Sequence, residues 1–173
     1  MKKFFFVVLG LLFAVPAFAA SIEVAPKVVS HFYEDVDNAI GYGVSVDVKD
    51  TLPVPIVFMS SVEFVSTEEN TLEGDAIVWS LGTGYDVKVS ENLTFRPYGS
   101  LDFASISVDG PVDASNDTGK SLGVQARYSV SDRISLFAGL GHQWMETKVS
   151  FAGASQKVDL NNTILSAGLS VKF

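Results

Sequence analysis

The chain of 173 residues contains no cysteine, and this absence excludes several kinds of chemistry. There is no disulfide framework, no thiol nucleophile, no cysteine-based metal site and no cysteine to carry an N-terminal lipid. Basic residues are scarce, because 12 Lys and Arg stand against 20 Asp and Glu, and the formal net charge is −8. A chain of this charge does not favour nucleic acid as a partner.

After the N-terminus the sequence also lacks a long hydrophobic run, although 47% of its residues are hydrophobic. No later stretch reaches the roughly 20 consecutive apolar residues that a membrane-spanning helix needs. The length fits one domain. The apolar residues must therefore be distributed along the chain in another pattern.

The first residues resemble an export signal. Lys2 and Lys3 precede an apolar segment over residues 4–15, and Ala17-Phe18-Ala19 matches a small-residue cleavage site. The apolar segment is too short to span a bilayer as a helix. We therefore expect a cleaved signal peptide over residues 1–19 and one mature domain over residues 20–173.

In the mature domain, apolar residues return at every second position, which predicts strands rather than helices. In the segment 40–48, for example, the even positions are apolar and the odd positions are small or polar. Eight such segments are present: Ile22–Phe32, Ile40–Val48, Ile56–Phe64, Ile77–Val89, Leu93–Phe103, Lys120–Val130, Ile134–Gly141 and Thr163–Phe173.

The connections between these segments alternate in length. Short links near 50–53, 90–92 and 131–132 alternate with mostly longer ones near 34–39, 66–74, 107–119 and 151–161. Successive hairpins of an even-stranded barrel place their turns at opposite rims, so this alternation predicts one rim with short turns and one with long loops.

A soluble, lipocalin-like barrel would also alternate, so residue size decides which face points outward. The polar face is rich in glycine, which suits the narrow interior of an eight-stranded barrel. The apolar face carries aromatic residues near strand ends, as the girdles of a membrane barrel do: Tyr42, Trp79, Tyr85, Phe95, Tyr128 and Trp144. We therefore predict an all-β fold, a closed eight-stranded antiparallel up-and-down transmembrane β-barrel without unpaired edges.

The chain resembles the small outer-membrane barrels of the OmpA-barrel, OmpX and opacity-protein type. Arg96-Pro97-Tyr98-Gly99, ahead of Leu101 and Phe103, is similar to their fifth strand. The last strand ends on an aromatic residue with apolar residues at every second position before it: Leu165, Ala167, Leu169, Val171 and Phe173. The resemblance implies a bacterial outer-membrane location and periplasmic termini. It also implies that the last strand is the signal read by the barrel assembly machinery.

Two prolines depart from the pattern, since Pro26 and Pro97 lie inside predicted strands. Proline cannot donate a hydrogen bond to a ladder, so we expect bulges or a frayed periplasmic rim at both positions.

Charged residues on the polar face are expected inside the barrel: Asp47, Glu63, Arg96, Asp102 and Arg127, with Glu23, Lys27, Asp86 and Lys88 nearer the periplasmic end. The bore of an eight-stranded barrel is just filled by side chains, so these groups are expected to pair and plug it. The alternative is that they line a narrow gated pore or a small-solute channel. The main expectation is a structural or surface-interaction role.

Enzymes are a third class, because lipid A acyltransferases and deacylases use this scaffold. They need a serine nucleophile beside a histidine base. Only His31 and His142 could serve, and neither lies in a matching motif. We therefore expect no catalytic residues, no cofactor and no metal site.

The long loops are acidic, and we expect these residues to be solvated or to form a surface that binds an extracellular ligand. Bridging through divalent cations to lipopolysaccharide is a further alternative, beside general contact with outer-membrane lipids. The acidic positions are Glu34, Asp35, Asp37, Glu68, Glu69, Glu73, Asp109, Asp113, Asp117 and Asp159.

Overall fold

A computed structural model describes residues 21–33, 38–50, 54–69, 72–108, 113–114, 116–151 and 154–173. The expected signal peptide lies outside these residues. So do the acidic loop positions 34, 35, 37 and 109, and the side chains at 68, 69, 73, 113 and 117. In this described part of the chain, no helix is long and apolar enough to span a membrane.

Eight long strands form the barrel, and three short strands are added at its rims. The long strands are β1 Ser21–Tyr33, β2 Ala39–Lys49, β3 Ile56–Glu69, β4 Leu72–Tyr85, β5 Leu93–Val108, β6 Asn116–Ser129, β7 Ile134–Phe151 and β8 Asn162–Lys172. The short strands are Val87–Lys88, Asp113–Ala114 and Ala154–Asp159.

The barrel closes because the first and last strands pair. Each long strand is antiparallel to its neighbours in the chain, and β8 pairs with β1 over a register that includes Val28 opposite Ala167. No long strand is left with an open edge, as lipid surroundings demand. The predicted fold class is confirmed.

The two faces of the wall differ as the alternation predicts. The outward face is apolar, and Ile40 and Leu122 are 68% and 60% exposed. The inward face has small residues where a large side chain crosses the bore. A Cβ on Gly123 or on Gly141 would lie 2.6 Å from the Tyr98 hydroxyl, so the ring of Tyr98 occupies the space that these two glycines leave.

Of the two alternatives expected at the prolines, bulges do not form. Pro26 pairs with Val44 and Pro97 with Val124, and the register of each ladder is the same on both sides of the proline. Each proline instead faces a short gap in the ladder on its other side, between β1 and β8 and between β4 and β5. The backbone N–H that each proline lacks is therefore not needed, because the ladder forms no bond on that side of the proline.

The long loops predicted at 66–74 and 151–161 are also wrong, because paired strands occupy much of both ranges. Strands β3 and β4 continue to Glu69 and Leu72, and Ala154–Asp159 extends the wall by pairing with the end of β7 that lies farther from the termini. Polar residues on both faces hide the alternation there, but a hairpin in water still pairs its own backbone groups. At the opposite rim, Asp50 turns the chain with φ of 59°, and Ser21 donates a hydrogen bond to its carboxylate.

The barrel interior as candidate functional site

Arg96 lies at the centre of a charge cluster in the half of the bore near the termini. Its side chain, on β5, is fully buried. Nη1 donates to Asp47 Oδ2 at 2.5 Å, and Nε and Nη2 donate to both carboxylate oxygens of Asp86. A guanidinium fork held by two carboxylates has a fixed orientation, because the planar donors match the acceptors.

Arg127, on β6, joins the same cluster. Its Nη1 donates to Asp47 Oδ2 at 3.3 Å, and its Nη2 donates to Glu23 and to the hydroxyl of Ser170. The guanidinium also lies over the inward-facing ring of Phe137, with 5.6 Å to the ring centroid. Lys49 completes the cluster by donating to Glu23 at 2.6 Å and lying 3.4 Å from Asp86.

This cluster crosses the bore from wall to wall. Glu23 and Asp47 belong to β1 and β2, whereas Arg96 and Arg127 belong to β5 and β6, which are the opposite strands of an eight-stranded ring. Three carboxylates face three cations, so the formal charges cancel. Ion pairs that span the bore hold opposite walls together and occupy the path between them.

A second polar group lies farther from the termini, around Glu63 on β3. Lys27 Nζ donates to Glu63 Oε1 at 2.5 Å, and His31 Nε2 lies 3.5 Å from Oε2 of the same carboxylate. His31 is almost completely buried, and its Nδ1 contacts Asn162 Oδ1 at 3.1 Å. A series of polar contacts thus leads from Glu63 on β3 through His31 on β1 to Asn162 on β8, although His31 Nε2 itself makes no hydrogen bond to any described residue.

Asp102 belongs to a third group, in which its partners are neutral. Its carboxylate accepts hydrogen bonds from Ser100, Ser121 and Gln143. Gln143 in turn accepts from the amide of Asn162, which connects this group to His31. Among the described residues no cation pairs with Asp102, so its desolvation is offset by neutral donors alone.

A cavity of about 50 Å³ lies between these groups, lined by side chains from several strands. Ser45, Ser80, Tyr98 and Gln125 contribute to its wall along with members of the groups already described. Its volume is enough for a few water molecules and too small for an organic solute.

At the long-loop end the interior becomes apolar. Five buried side chains pack together there: Ala39, Val65, Val78, Ala104 and Met145. Four partly buried side chains pack against them: Tyr33, Ala76, Ile106 and Leu160. The bore thus changes from a charged end through a polar middle to an apolar end.

The structure places the five predicted interior charges inside the wall, all buried, but divides them among three groups. Asp47, Arg96 and Arg127 meet in the charge cluster, while Glu63 and Asp102 lie in separate groups. Of the additional positions, Glu23 and Asp86 join the cluster and Lys27 joins Glu63, whereas Lys88 is exposed at the rim.

The residues predicted for the outer surface also point away from the bore. The predicted girdle residues Tyr42, Tyr85, Phe95, Tyr128 and Trp144 are exposed, and Trp79 is half-buried on the same face. In the last strand, Leu165, Leu169 and Phe173 are exposed and the other predicted signal residues, Ala167 and Val171, share their face.

Neither histidine meets the geometry that a serine hydrolase needs. His31 contacts an amide and a carboxylate inside the bore, and His142 lies on the outward face with its ring 4.6 Å from that of Trp144. In the described ranges, no group of three or more His, Cys, Asp or Glu side chains is arranged to hold a metal ion.

Sequence reasoning missed the neutral partners in the bore, namely Ser121, Gln143, Asn162 and Ser170. Their signal was present, since each occupies an inward position of the period-two pattern. Reading the polar face for amides and hydroxyls as well as for charges would have found them.

This architecture agrees with comparisons against known proteins. The family model for the outer membrane protein beta-barrel domain matches residues 5–173. The chain belongs to this family. It is thus a small outer-membrane β-barrel protein, and its location is the bacterial outer membrane. Among curated proteins, no sequence matches the chain.

Solved structures share the fold at low sequence identity. Neisserial surface protein A has a TM-score of 0.68 at 17% identity, covering 88% of this chain and 96% of that one. OprG from Pseudomonas aeruginosa has 0.66 at 9%, covering 90% and 96%. Ail from Yersinia pestis, in complex with the heparin analogue sucrose octasulfate, has 0.57 at 12%, covering 88% and 97%.

Proposed function

We propose that this chain is a closed, non-catalytic barrel that serves the outer membrane as a structural and surface-interaction protein. The observation that carries the proposal is the cluster in which Arg96 and Arg127 meet carboxylates from the opposite wall. A neutral set of ion pairs across a bore of this width leaves no wide aqueous path. The apolar packing around Met145 opposes ion passage at the other end.

The proposal includes the orientation. The leader over residues 1–19 is cleaved after export, and both termini face the periplasm. The hairpins at the opposite rim, where β3 meets β4 and where β7 meets Ala154–Asp159, therefore face the exterior. The outer loops are acidic by sequence, which favours a cationic surface partner over a polyanion such as the heparin analogue bound to Ail.

Conductance in planar bilayers tests the closed interior. The wild-type protein is expected to carry no measurable ion current. An Arg96→Ala, Arg127→Ala double variant removes both guanidinium groups and leaves carboxylates in the bore, so it is expected to open a small cation-selective current. Arg133→Ala, at an exposed turn, is the matched control and should stay closed. Folding of each variant is checked by the gel shift on boiling.

A second candidate function, a narrow pore, is favoured by the polar cavity beside Tyr98. The same recordings separate the two, because a wild-type current equal to that of the double variant would support the pore and overturn the plug.

A further inference from the structure

Two basic side chains flank one tryptophan on the lipid-facing surface of β6 and β7. Lys120 pairs directly with Trp144 across the two strands, and its Nζ lies 5.8 Å from the centroid of the indole ring. His142 contacts the same ring in an edge-on arrangement, with 4.6 Å between centroids. The three side chains, the Lys120–His142–Trp144 patch, thus form one contiguous surface.

The patch is unusual because the rest of the outward face is apolar or neutral between the girdles. Among the described side chains on the outward face of the eight strands, Lys120 and His142 are the only basic ones. The outward carboxylate on the same strand pair, Glu146, already forms an ion pair with Lys157. In the described part of the chain no carboxylate pairs with Lys120, and its exposed side chain is therefore accessible to an anion from outside the protein.

The depth of the patch identifies where that anion lies. Tyr128 belongs to the girdle near the termini and stands on the same strand as Lys120, eight residues away. At about 3.3 Å per residue and a tilt of about 40°, the separation along the membrane normal is about 20 Å. The apolar band of such barrels is about 25 Å tall, so Lys120 lies close to its outer edge.

The neighbouring strands mark the same boundary. On β7 the outward residues are apolar from Ile134 to Leu140 and become polar at His142, and on β8 Thr163 lies opposite His142. At this boundary in the outer leaflet the accessible anions are lipid phosphates. An ammonium group and ring N–H donors are the groups that bind phosphate oxygens, and an indole is favoured at the interface.

We propose that the Lys120–His142–Trp144 patch binds a phosphate group of a phosphorylated glycolipid of the outer leaflet, of the lipid A class. The proposal rests on the orientation given above, which places this end of the barrel outside. It assigns the partner by direct contact with the wall, independently of the acidic loops and of any divalent cation.

Tryptophan fluorescence tests the proposal, because the chain has two tryptophans and Trp79→Phe leaves Trp144 as the single reporter. The folded protein in neutral detergent is titrated with bis-phosphorylated lipid A and with the same lipid after removal of its phosphates. The phosphorylated lipid should bind more tightly, and Lys120→Gln should weaken its binding about fivefold without affecting the dephosphorylated lipid. Lys157→Gln, the same charge change on the outer hairpin, should leave both affinities unchanged.

Three results would overturn the proposal. Equal affinity for the two lipids would exclude phosphate recognition, an equal loss in Lys157→Gln would reduce the effect to general charge, and equal binding of phosphatidylglycerol would exclude the glycolipid as the specific partner. Labelling of intact cells with an antibody against residues 109–118 tests the orientation separately, so its failure is distinguishable from failure of the site.

Discussion

The two halves of the barrel interior are stabilised by different chemistry. Near the termini, ion pairs of Arg96 and Arg127 with Asp47 and Glu23 link opposite walls. Toward the long-loop end, the polar contacts of Asp102 are made with neutral side chains, and beyond them the contacts become apolar. The same narrow bore is therefore filled near the termini by a network of ion pairs. Farther along it is filled by the single Lys27–Glu63 pair, by the amides and hydroxyls around Asp102, and by hydrocarbon.

The difference teaches how each half responds to the loss of one group. Buried ion pairs offset a large desolvation cost, so removing one partner leaves an uncompensated charge. Where an acceptor is held by several neutral donors, removing one donor costs less free energy of unfolding, because the remaining donors still bond to the acceptor. We therefore expect the charged half to be the less tolerant of substitution.

The largest effect is expected for Arg96→Met, which keeps much of the side-chain volume and removes the guanidinium. Asp47 and Asp86 would lose their shared fork. The expected loss is about 3–5 kcal/mol of unfolding free energy, measured by urea unfolding in lipid vesicles. Arg133→Met at the exposed turn is the control, and a loss of similar size there would break the comparison.

A smaller effect is expected for Gln143→Leu in the other half. The substitution removes one of three hydrogen bonds to Asp102 and one of the two acceptors of the Asn162 amide, which keeps the Leu160 carbonyl oxygen. Unfolding should become easier by about 1–3 kcal/mol in the same assay. If this variant were as unstable as Arg96→Met, the distinction between the ion-pair cluster and the group of neutral partners around Asp102 would fail.

Much of this arrangement was predictable from the sequence. Alternation placed Asp47, Arg96 and Arg127 on the inward face, because one buried face fixes the register of each strand. The division of the five inward charges into three groups was not predictable, since it depends on which inward positions of non-adjacent strands meet across the bore. The register of one strand on the next decides this, and Glu63 and Asp102 lie too far along the bore to join the cluster.

The outer hairpins were misjudged for a related reason. Around Glu69 and in Ala154–Asp159 the sequence has polar residues at positions of both faces, so the period-two signal disappears although the strands continue. Backbone pairing continues without it. Sequence patterns therefore report the lipid-facing and core-facing parts of a strand better than its true end.

The smallest effect on stability is expected for a salt bridge that lies outside the bore. Lys157 and Glu146 pair at 2.9 Å on the hairpin of β7 and Ala154–Asp159, with side chains 67% and 62% exposed. The hydrogen bond and charge of Lys157 lower the pKa of the Glu146 carboxyl below its usual value of 4.5. The contribution of the pair is therefore present above about pH 4.5 and is lost as the pH falls through the lowered pKa. Because water screens both groups, Lys157→Gln should leave the unfolding midpoint unchanged at pH 7 and at pH 3.

Lys27→Gln is the matched test, since Lys27 and Glu63 form the same kind of pair inside the bore with side chains 11% and 9% exposed. That substitution should lower the midpoint clearly at pH 7, because it leaves the Glu63 carboxylate buried without its ammonium partner. Equal effects of the two lysine substitutions would mean that charge alone, rather than its burial between the barrel walls, determines how strongly the interior is held.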